Sequence, residues 1–388
     1  MQKKQNNVGY IVLFAVMGIA VSCQKDIPSA YTNTVPQNFS QVFEAFWNNM
    51  NTNYVYWDID TTHWDAMYRQ YQPVFAQLNL QDPQDLKKSI DYFRQMTDGL
   101  IDSHYSISFL PKPIVDSQVF PAADRKKRDA HFHSPFLYIS IDSNYLDPGF
   151  VSGKYTSTAH TLVTAVSGTI HSNILYFYCS GFALREAYTS NSANGVKGVL
   201  QHFFDQLKNR SPNTKGLIID VRSNNGGNVE DLDFLVGQLT AQPIPFGFVR
   251  YKANNGRLAY TPWMAVTIPP QPGAQALNLP VVVLADNYSI SLAEALTMAI
   301  KTLPNSSFVG ETTWGATGPI TANAVYNDGP FTIPGFLSVY TSSAVFQYRD
   351  GKIYEGKGFP PDIAIPFNLT TLYSGDDPSL DSAIMLIH

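Results

Sequence analysis

Apolar positions along this chain change period part-way. Between Asn38 and Leu110 they recur at spacings of three and four, in FSQVFEAFWNNM, WDAMYRQYQPVFAQL and LKKSIDYFRQMTDGLID, which predicts helices with one buried face. Asp82 and Asp85 flank Pro83 as cap residues for the third. Phe43, Trp47, Trp64 and Tyr68 fall on the apolar faces and read as core. From His171 the rhythm becomes short apolar runs alternating with amphipathic stretches: ILYFYCSGF, GVKGVLQHFFDQLKNR, KGLIIDVR, a helical Val229 to Thr240, PVVVLA and LAEALTMAIK. SSFVGETT, PITANAVYN, GFLSVYTSSAVFQYRD and PDIAIP add strands. This alternation predicts an α/β layered core of βαβ units behind an N-terminal helical module. The expected organisation is a helical module over residues 38–110, an intermediate segment over 111–170 and the α/β core over 171–388.

The first residues follow a different logic. Lys3 and Lys4 precede an apolar stretch from Tyr10 to Val21, then Ser22 and Cys23. A charged start and an apolar run too short to span a bilayer comfortably make a signal peptide. Small residues before a cysteine resemble a bacterial lipobox, with Ala20 where leucine is more usual. Residues 1–23 are thus expected to be a lipoprotein signal, Cys23 the lipid-bearing residue and 24–37 a tether. Gln24-Lys25-Asp26 resembles the short acidic export signal of Bacteroidetes-type surface lipoproteins. The expected location is the cell envelope, anchored to the outer membrane at its periplasmic face or on the cell surface. An ordinary signal peptide or an uncleaved anchor are the alternatives. With Cys23 lipidated, Cys179 has no partner for an intramolecular disulfide and reads as a small buried hydrophobe.

Composition narrows the partners. With 388 residues and 44% hydrophobic content the chain can bury a sizeable core, and a net charge of -5 offers no face for nucleic acid. The basic run Arg125 to Arg128 reads as a solvated loop. His131 and His133 lack a third ligand at motif spacing, so no metal is expected.

The chemistry concentrates at Ser291, where PVVVLA turns into the helix starting at Leu292, with Glu294 three residues on. A hydroxyl there lies beside free backbone N–H groups, able to attack a carbonyl while those groups hold the oxyanion. The same S-x-x-E is also an ordinary capping box. Other segments decide between the two. LIDSHYSI carries Ser103 and His104, and GLIIDVRSNNGGN ends a buried strand in Gly226 and Gly227. Gly310 to Gly315 reads GETTWG, and IYEGKGFPPDIAIP holds Glu355 and Asp362.

In this order the segments resemble the motifs of the C-terminal processing peptidase and tricorn family of serine peptidases, over roughly residues 40–110 and 171–366. The resemblance implies a crotonase-like (ClpP-type) core and a serine-type endopeptidase acting on peptides or unfolded protein, without metal or cofactor. Ser291 looks like the nucleophile, with Ser289 the competing choice. The N–H groups of Gly226 or Gly227 and of Leu292 look like the oxyanion hole. Ala316 stands where the processing branch carries its lysine base, so the resemblance points to a tricorn-like tetrad. In it His104 is the base, and Glu355 acts on the imidazole directly or through the Ser103 hydroxyl. Asp220, Arg222, Asn224 and Asp362 read as architectural. Pro111 to Ile170 is short for the PDZ domain of the processing branch. Two rival functions use the same fold: a ligand-binding protein without hydrolysis, as in retinoid-binding modules, and a small-substrate esterase or amidase. The oligomeric state is not legible.

Overall fold

The computed structural model describes residues 34–130, 132–253, 255–321 and 329–387. Cys23 and the expected signal peptide fall outside them. Three helices come first: α1 (Phe39–Asn53), α2 (Trp64–Phe75) and α3 (Pro83–Thr97). Asn38 caps α1 by accepting the Gln41 N–H at 2.9 Å, and Asp82 caps α3 through the Gln84 N–H at 2.8 Å. Asp85 instead ties down the Asn79 N–H and Lys88. The three apolar faces close on an aromatic core in which Phe43, Phe46, Phe75 and Phe93 are fully buried and Trp47 stacks on Trp64 at 4.8 Å.

After α3 come β1 (Ser106–Phe109), β2 (Gln118–Val119), α4 (Pro121–Lys126) and α5 (Ile139–Asp142). The chain continues through β3 (Val151–Thr156), β4 (Leu162–Ile170), β5 (Ile174–Cys179), α6 (Leu184–Thr189) and α7 (Gly195–Lys208). Next are β6 (Gly216–Asp220), α8 (Glu230–Val236), β7 (Ile244–Tyr251), β8 (Met264–Ile268), β9 (Val281–Ala285) and α9 (Leu292–Ile300). The last elements are β10 (Ser306–Gly310), β11 (Phe331–Ile333), β12 (Leu337–Tyr340), β13 (Ala344–Tyr348), β14 (Ile363–Ala364), α10 (Leu369–Tyr373) and α11 (Pro378–Ile387).

The central sheet has the order β14-β10-β9-β6-β5-β4-β3, parallel from β14 to β5 and antiparallel through β4 and β3. Both faces are covered. Leu217, Ile219, Val281 and Val283 pack on one side with residues of α7 and α9, while Ile218, Val282 and Leu284 pack on the other with α11. Strands buried on two faces need apolar residues at successive positions, which is why GLII in β6 and VVVLA in β9 are unbroken apolar runs. The loops leaving the C-terminal ends of β6, β9 and β10 gather at one edge, where open α/β sheets place their sites.

Two boundaries differ from the sequence reading. The sheet begins at Val151 and not at His171, because β3 and β4 form an antiparallel hairpin on the edge of β5. In β3 (VSGKYT) half-buried and exposed residues alternate with few apolar side chains, so the strand signal is weak there. The stretch from 111 to 170 therefore holds β2, α4, α5 and this hairpin. The helical module, for its part, does not close alone. β1 pairs with β12, and Ile333, Leu337 and Val339 complete the core around Phe93 and Phe109. Strands more than 200 residues later in the chain finish the module, a pairing that no local period announces.

Candidate active site

Ser291 joins β9 to α9 with φ +58° and ψ -113°. An ordinary N-cap has extended backbone, whereas a positive φ on a non-glycine residue is strained and marks sharp strand-to-helix nucleophile turns. The turn is braced from beneath. The Ser289 hydroxyl donates to the Val221 carbonyl at 2.7 Å and accepts the Asp286 N–H at 2.9 Å, with Ser289 fully buried. Ser289 is thus a strut, committed to backbone partners. The Ile290 N–H donates to the Asn224 carbonyl at 2.9 Å. Asn224 in turn donates to the Cys179 carbonyl at 2.8 Å and accepts the Gly226 N–H at 2.8 Å.

The glycine turn lies directly against the serine. A Cβ on Gly226 (φ +84°) would sit 2.8 Å from Ser291 Cβ and 3.0 Å from the Leu292 nitrogen, so only glycine fits. Of the three N–H groups read as oxyanion donors, Gly226 is excluded because its proton is held by Asn224. The N–H groups of Gly227 (φ +144°) and Leu292 make no hydrogen bond among the described residues and remain available. Cys179 lies fully buried under this turn, its thiol pushed up by burial.

Two buried carboxylates grip the loop that follows β10. Glu294 accepts the Ser291 N–H at 3.1 Å, the Thr313 hydroxyl at 2.6 Å and the N–H groups of Gly315 and Ala316 at 2.7 Å each. Glu355 accepts the next two N–H groups, Thr317 at 2.7 Å and Gly318 at 2.8 Å, and the Ser103 N–H at 2.7 Å. Burial raises the pKa of both. One short loop thereby connects the turn carrying Ser291 to the segment carrying His104. Ala316 is buried with its N–H committed to Glu294.

His104 follows α3 and precedes β1. Its N–H donates to Asp102 at 2.9 Å, and its buried Nδ1 has no hydrogen-bond partner. Burial holds its pKa below the ordinary histidine value, with the charge of Asp102 working the other way. The expected relay through the Ser103 hydroxyl is not formed: Glu355 takes the backbone N–H of Ser103 instead. No hydrogen bond joins Ser291 to His104 among the described residues. Asp102 is the residue that sequence reasoning passed over. Fully buried, it accepts the Thr341 hydroxyl at 2.5 Å, the Ser342 N–H at 2.8 Å and the Ser342 hydroxyl at 3.0 Å. Its signal was the L-x-D-x-H spacing of Leu100, Asp102 and His104. Asp102, His104 and Glu355 bring one ligand atom each within 4.8 Å of one another. Every carboxylate oxygen of the trio already accepts a protein hydrogen bond, so a cation there would have to displace those donors.

Beside the site, Arg222 is buried among Asp142, Asp220 and Asp377 at 2.6–2.8 Å, pinning the end of β6 as the sequence reading assigned it. Asp362 accepts the Phe308 N–H at 2.6 Å and pairs with Lys301 at 2.8 Å.

Residues 181–365 match the model of peptidase family S41, and residues 35–82 match that of the tricorn protease C1 domain. The chain is 29% identical to the tricorn protease of Thermoplasma acidophilum over 192 residues, covering 49% of this chain and 15% of that one. It is 30% identical to tricorn protease homolog 1 of Streptomyces coelicolor over 172 residues, covering 44% and 14%. The chain thus spans about a seventh of the length of these relatives. Among solved structures, a candidate peptidase from Parabacteroides merdae superposes with a TM-score of 0.68 at 23% identity, covering 91% of this chain and 97% of that one. Mature CPAF gives a TM-score of 0.58 at 12% identity, covering 89% and 95%. These two likenesses are of fold, the crotonase-like α/β layering with a helical region ahead of it. With the two family models matched in chain order over that fold, the chain is similar to the S41 family of peptidases over residues 181–365 and to tricorn proteases over residues 35–82.

Proposed function

We propose that this chain is a serine endopeptidase in which Ser291 is the nucleophile and His104 the base. The observation that carries the reading is the Ser291 turn: a serine at positive φ, flanked by the free N–H groups of Leu292 and Gly227. Ser291 Oγ attacks the scissile carbonyl carbon and its proton passes to His104. The carbonyl oxygen, now negative, accepts hydrogen bonds from Leu292 and Gly227. The imidazolium returns the proton to the leaving amine, and water resolves the acyl-enzyme by the same route. A depressed pKa suits His104 to this task, since it keeps the ring neutral and ready to accept a proton. Substrate binding must bring Ser291 Oγ and His104 to about 2.6–3.2 Å, a contact often looser without substrate. Asp102, Ser103 and Glu355 fix the segment that carries the imidazole. Substrates are peptides or unfolded protein. Cys23 carries the lipid that anchors the chain in the cell envelope.

The test incubates the chain and its Ser291→Ala variant with a diverse peptide mixture and reads products by mass spectrometry. Cleavage by the parent alone supports the reading. Silence from both favours a ligand-binding protein on this fold, and hydrolysis only of small esters an esterase. The anchor is checked separately, by intact mass and membrane partition of the parent against Cys23→Ala.

A further inference from the structure

The segment between α4 and α5 crosses the edge at which β6, β9 and β10 end. Phe132 packs on Tyr288 at 5.5 Å and on Trp314 at 6.3 Å between ring centroids. His133 stacks on Phe367 at 3.7 Å with the rings 7° from parallel. The Phe136 N–H donates to the Ser223 hydroxyl at 3.1 Å. Just upstream, Lys126 Nζ stands 4.7 Å over the Trp314 ring. Tyr288 precedes the Ser291 turn, Ser223 precedes the glycine turn, and Trp314 belongs to the loop held by Glu294. Residues 132–136 therefore lie against all three loops that build the site.

Among the described residues one ion pair, His133 with Glu311, adds to these contacts. His133 Nε2 is 2.8 Å from Glu311 Oε2, and Nδ1 is 2.8 Å from the Ser134 carbonyl. A carboxylate and a carbonyl only accept, so the imidazolium, with a proton on each ring nitrogen, is the form that satisfies both contacts. Glu311 also accepts the Phe367 N–H at 3.2 Å, joining the segment to the chain after β14. The titratable groups facing the ring are Glu311 from the end of β10, and Asp286 and Tyr288 from the loop after β9, with Arg222 beyond Asp286.

We propose that residues 132–136 are a strap across the Ser291 cleft, closed while the His133 imidazolium bridges Ser134 and Glu311 and released when the ring loses a proton. On deprotonation one ring nitrogen presents a lone pair to an oxygen, one hydrogen bond becomes a repulsion, and the charge attraction to Glu311 is lost. Burial pulls the His133 pKa down, but the bonds to Glu311 and Ser134 outweigh it and leave the pKa above the ordinary histidine value. The strap is therefore shut at pH 6, below the ordinary histidine value, and loosens as pH rises through the raised pKa of the ring. That the strap controls access to the cleft rests on the peptidase reading; that it opens does not.

The test measures hydrogen exchange of the 132–136 backbone, corrected for intrinsic rates, in the full chain carrying Ser291→Ala. Protection should fall by about tenfold or more between pH 6 and pH 9. His133→Ala should be unprotected at both pH values. His133→Gln, whose amide donates without titrating, should stay protected at both. Equal protection of the parent at pH 6 and 9, or identical behaviour of the Ala and Gln variants, overturns the proposal. In the chain with Ser291 intact, His133→Ala should cleave peptides about fivefold or more faster than the parent at pH 6. An unchanged rate despite a released segment overturns the gating. A pH-dependent release with no cleavage by any variant upholds the strap and removes the peptidase reading.

Discussion

Replacing Gly226 by alanine tests the packing of the two turns that make the site. At φ +84° an L-residue pays a backbone penalty of about 1–2 kcal/mol. The new Cβ would also lie 2.8 Å from the Ile290 carbonyl oxygen and from Ser291 Cβ, and 3.0 Å from the Leu292 nitrogen. Two of those atoms are backbone and the third is the Cβ of Ser291, fixed to its own backbone, so none can swing away. Overpacking of this kind costs about 1–3 kcal/mol. The sum, about 2–5 kcal/mol, is a large part of a typical total of about 5–15 kcal/mol, so the variant folds but is weakened. Relief of the overlap must move Ser291 and Leu292, which on the proposed mechanism displaces one oxyanion donor and lowers kcat by about 10²–10³-fold. Gly149→Ala is the control, because Gly149 has φ +99° and nothing within 4 Å of its Cβ position. It should cost only the backbone penalty and leave cleavage unchanged. Urea unfolding gives the stabilities and turnover of a peptide from the mixture gives kcat. A Gly226→Ala enzyme within about threefold of the parent would refute the argument, since the overlap would then have been absorbed away from the reacting atoms.

Other outcomes follow from the buried charges. Glu294→Gln keeps one acceptor oxygen but sets an NH₂ against an N–H donor of the 313–318 loop, costing about 1–3 kcal/mol, whereas Glu294→Ala removes every acceptor and costs more. Equal urea midpoints for the two would contradict this. Arg222→Met leaves three buried carboxylates facing one another and should destabilise by about 3–5 kcal/mol or prevent folding, read by expression and circular dichroism. Asp231 is raised by burial to about 6, so the fold favours its protonated form. Its contribution to stability is present below about pH 4, is lost as pH rises through 6 and is flat above, and Asp231→Asn should flatten that slope in urea titrations. If His104 is the base as proposed, its neutral form is the active one, so in the His133→Ala variant, whose strap is released, kcat/KM should rise with pH around a midpoint below 6.5.

What could be read from the sequence, and what could not, divides by range. The helices α1 and α3, the buried strands β6 and β9 and the S-x-x-E turn are local patterns, and each stands where its period and caps put it. The β1–β12 pairing is not local: Ile107 meets Val339 across the whole core, and neither residue's neighbours announce it. The choice between glycines was equally hidden, because both suit a close approach. Only the side chain of Asn224, folded back on the Gly226 N–H, separates them. Asp102 was visible as a letter in a motif, but its weight comes from Thr341 and Ser342 near the other end of the chain. Arg125, in a basic run taken for a solvated loop, instead reaches the carbonyls of Asp98 and Leu100 at the base of the His104 segment. Charge alone cannot tell a solvated arginine from one that ties two segments together.

The division of labour between Glu294 and Glu355 explains how one site can be assembled from two ends of a chain. Ser291 belongs to the sheet and His104 to the helical module, and their relative position would drift if only side-chain packing joined them. Instead the carboxylates take consecutive N–H groups of one loop, Glu294 those of Gly315 and Ala316, Glu355 those of Thr317 and Gly318. Each carboxylate then reaches back to its own half, Glu294 to the Ser291 N–H and Glu355 to the Ser103 N–H. Backbone donors hold a carboxylate more rigidly than side chains do, having no rotamers to lose. Under the proposed mechanism, Glu355 would then act on the imidazole through the position of the segment and not through a proton relay. Glu355→Gln, which keeps the shape but turns one acceptor into a donor, should then lower activity and stability together. A variant that lost activity with its urea midpoint unchanged would mean instead that the carboxylate acts on the imidazole by its charge.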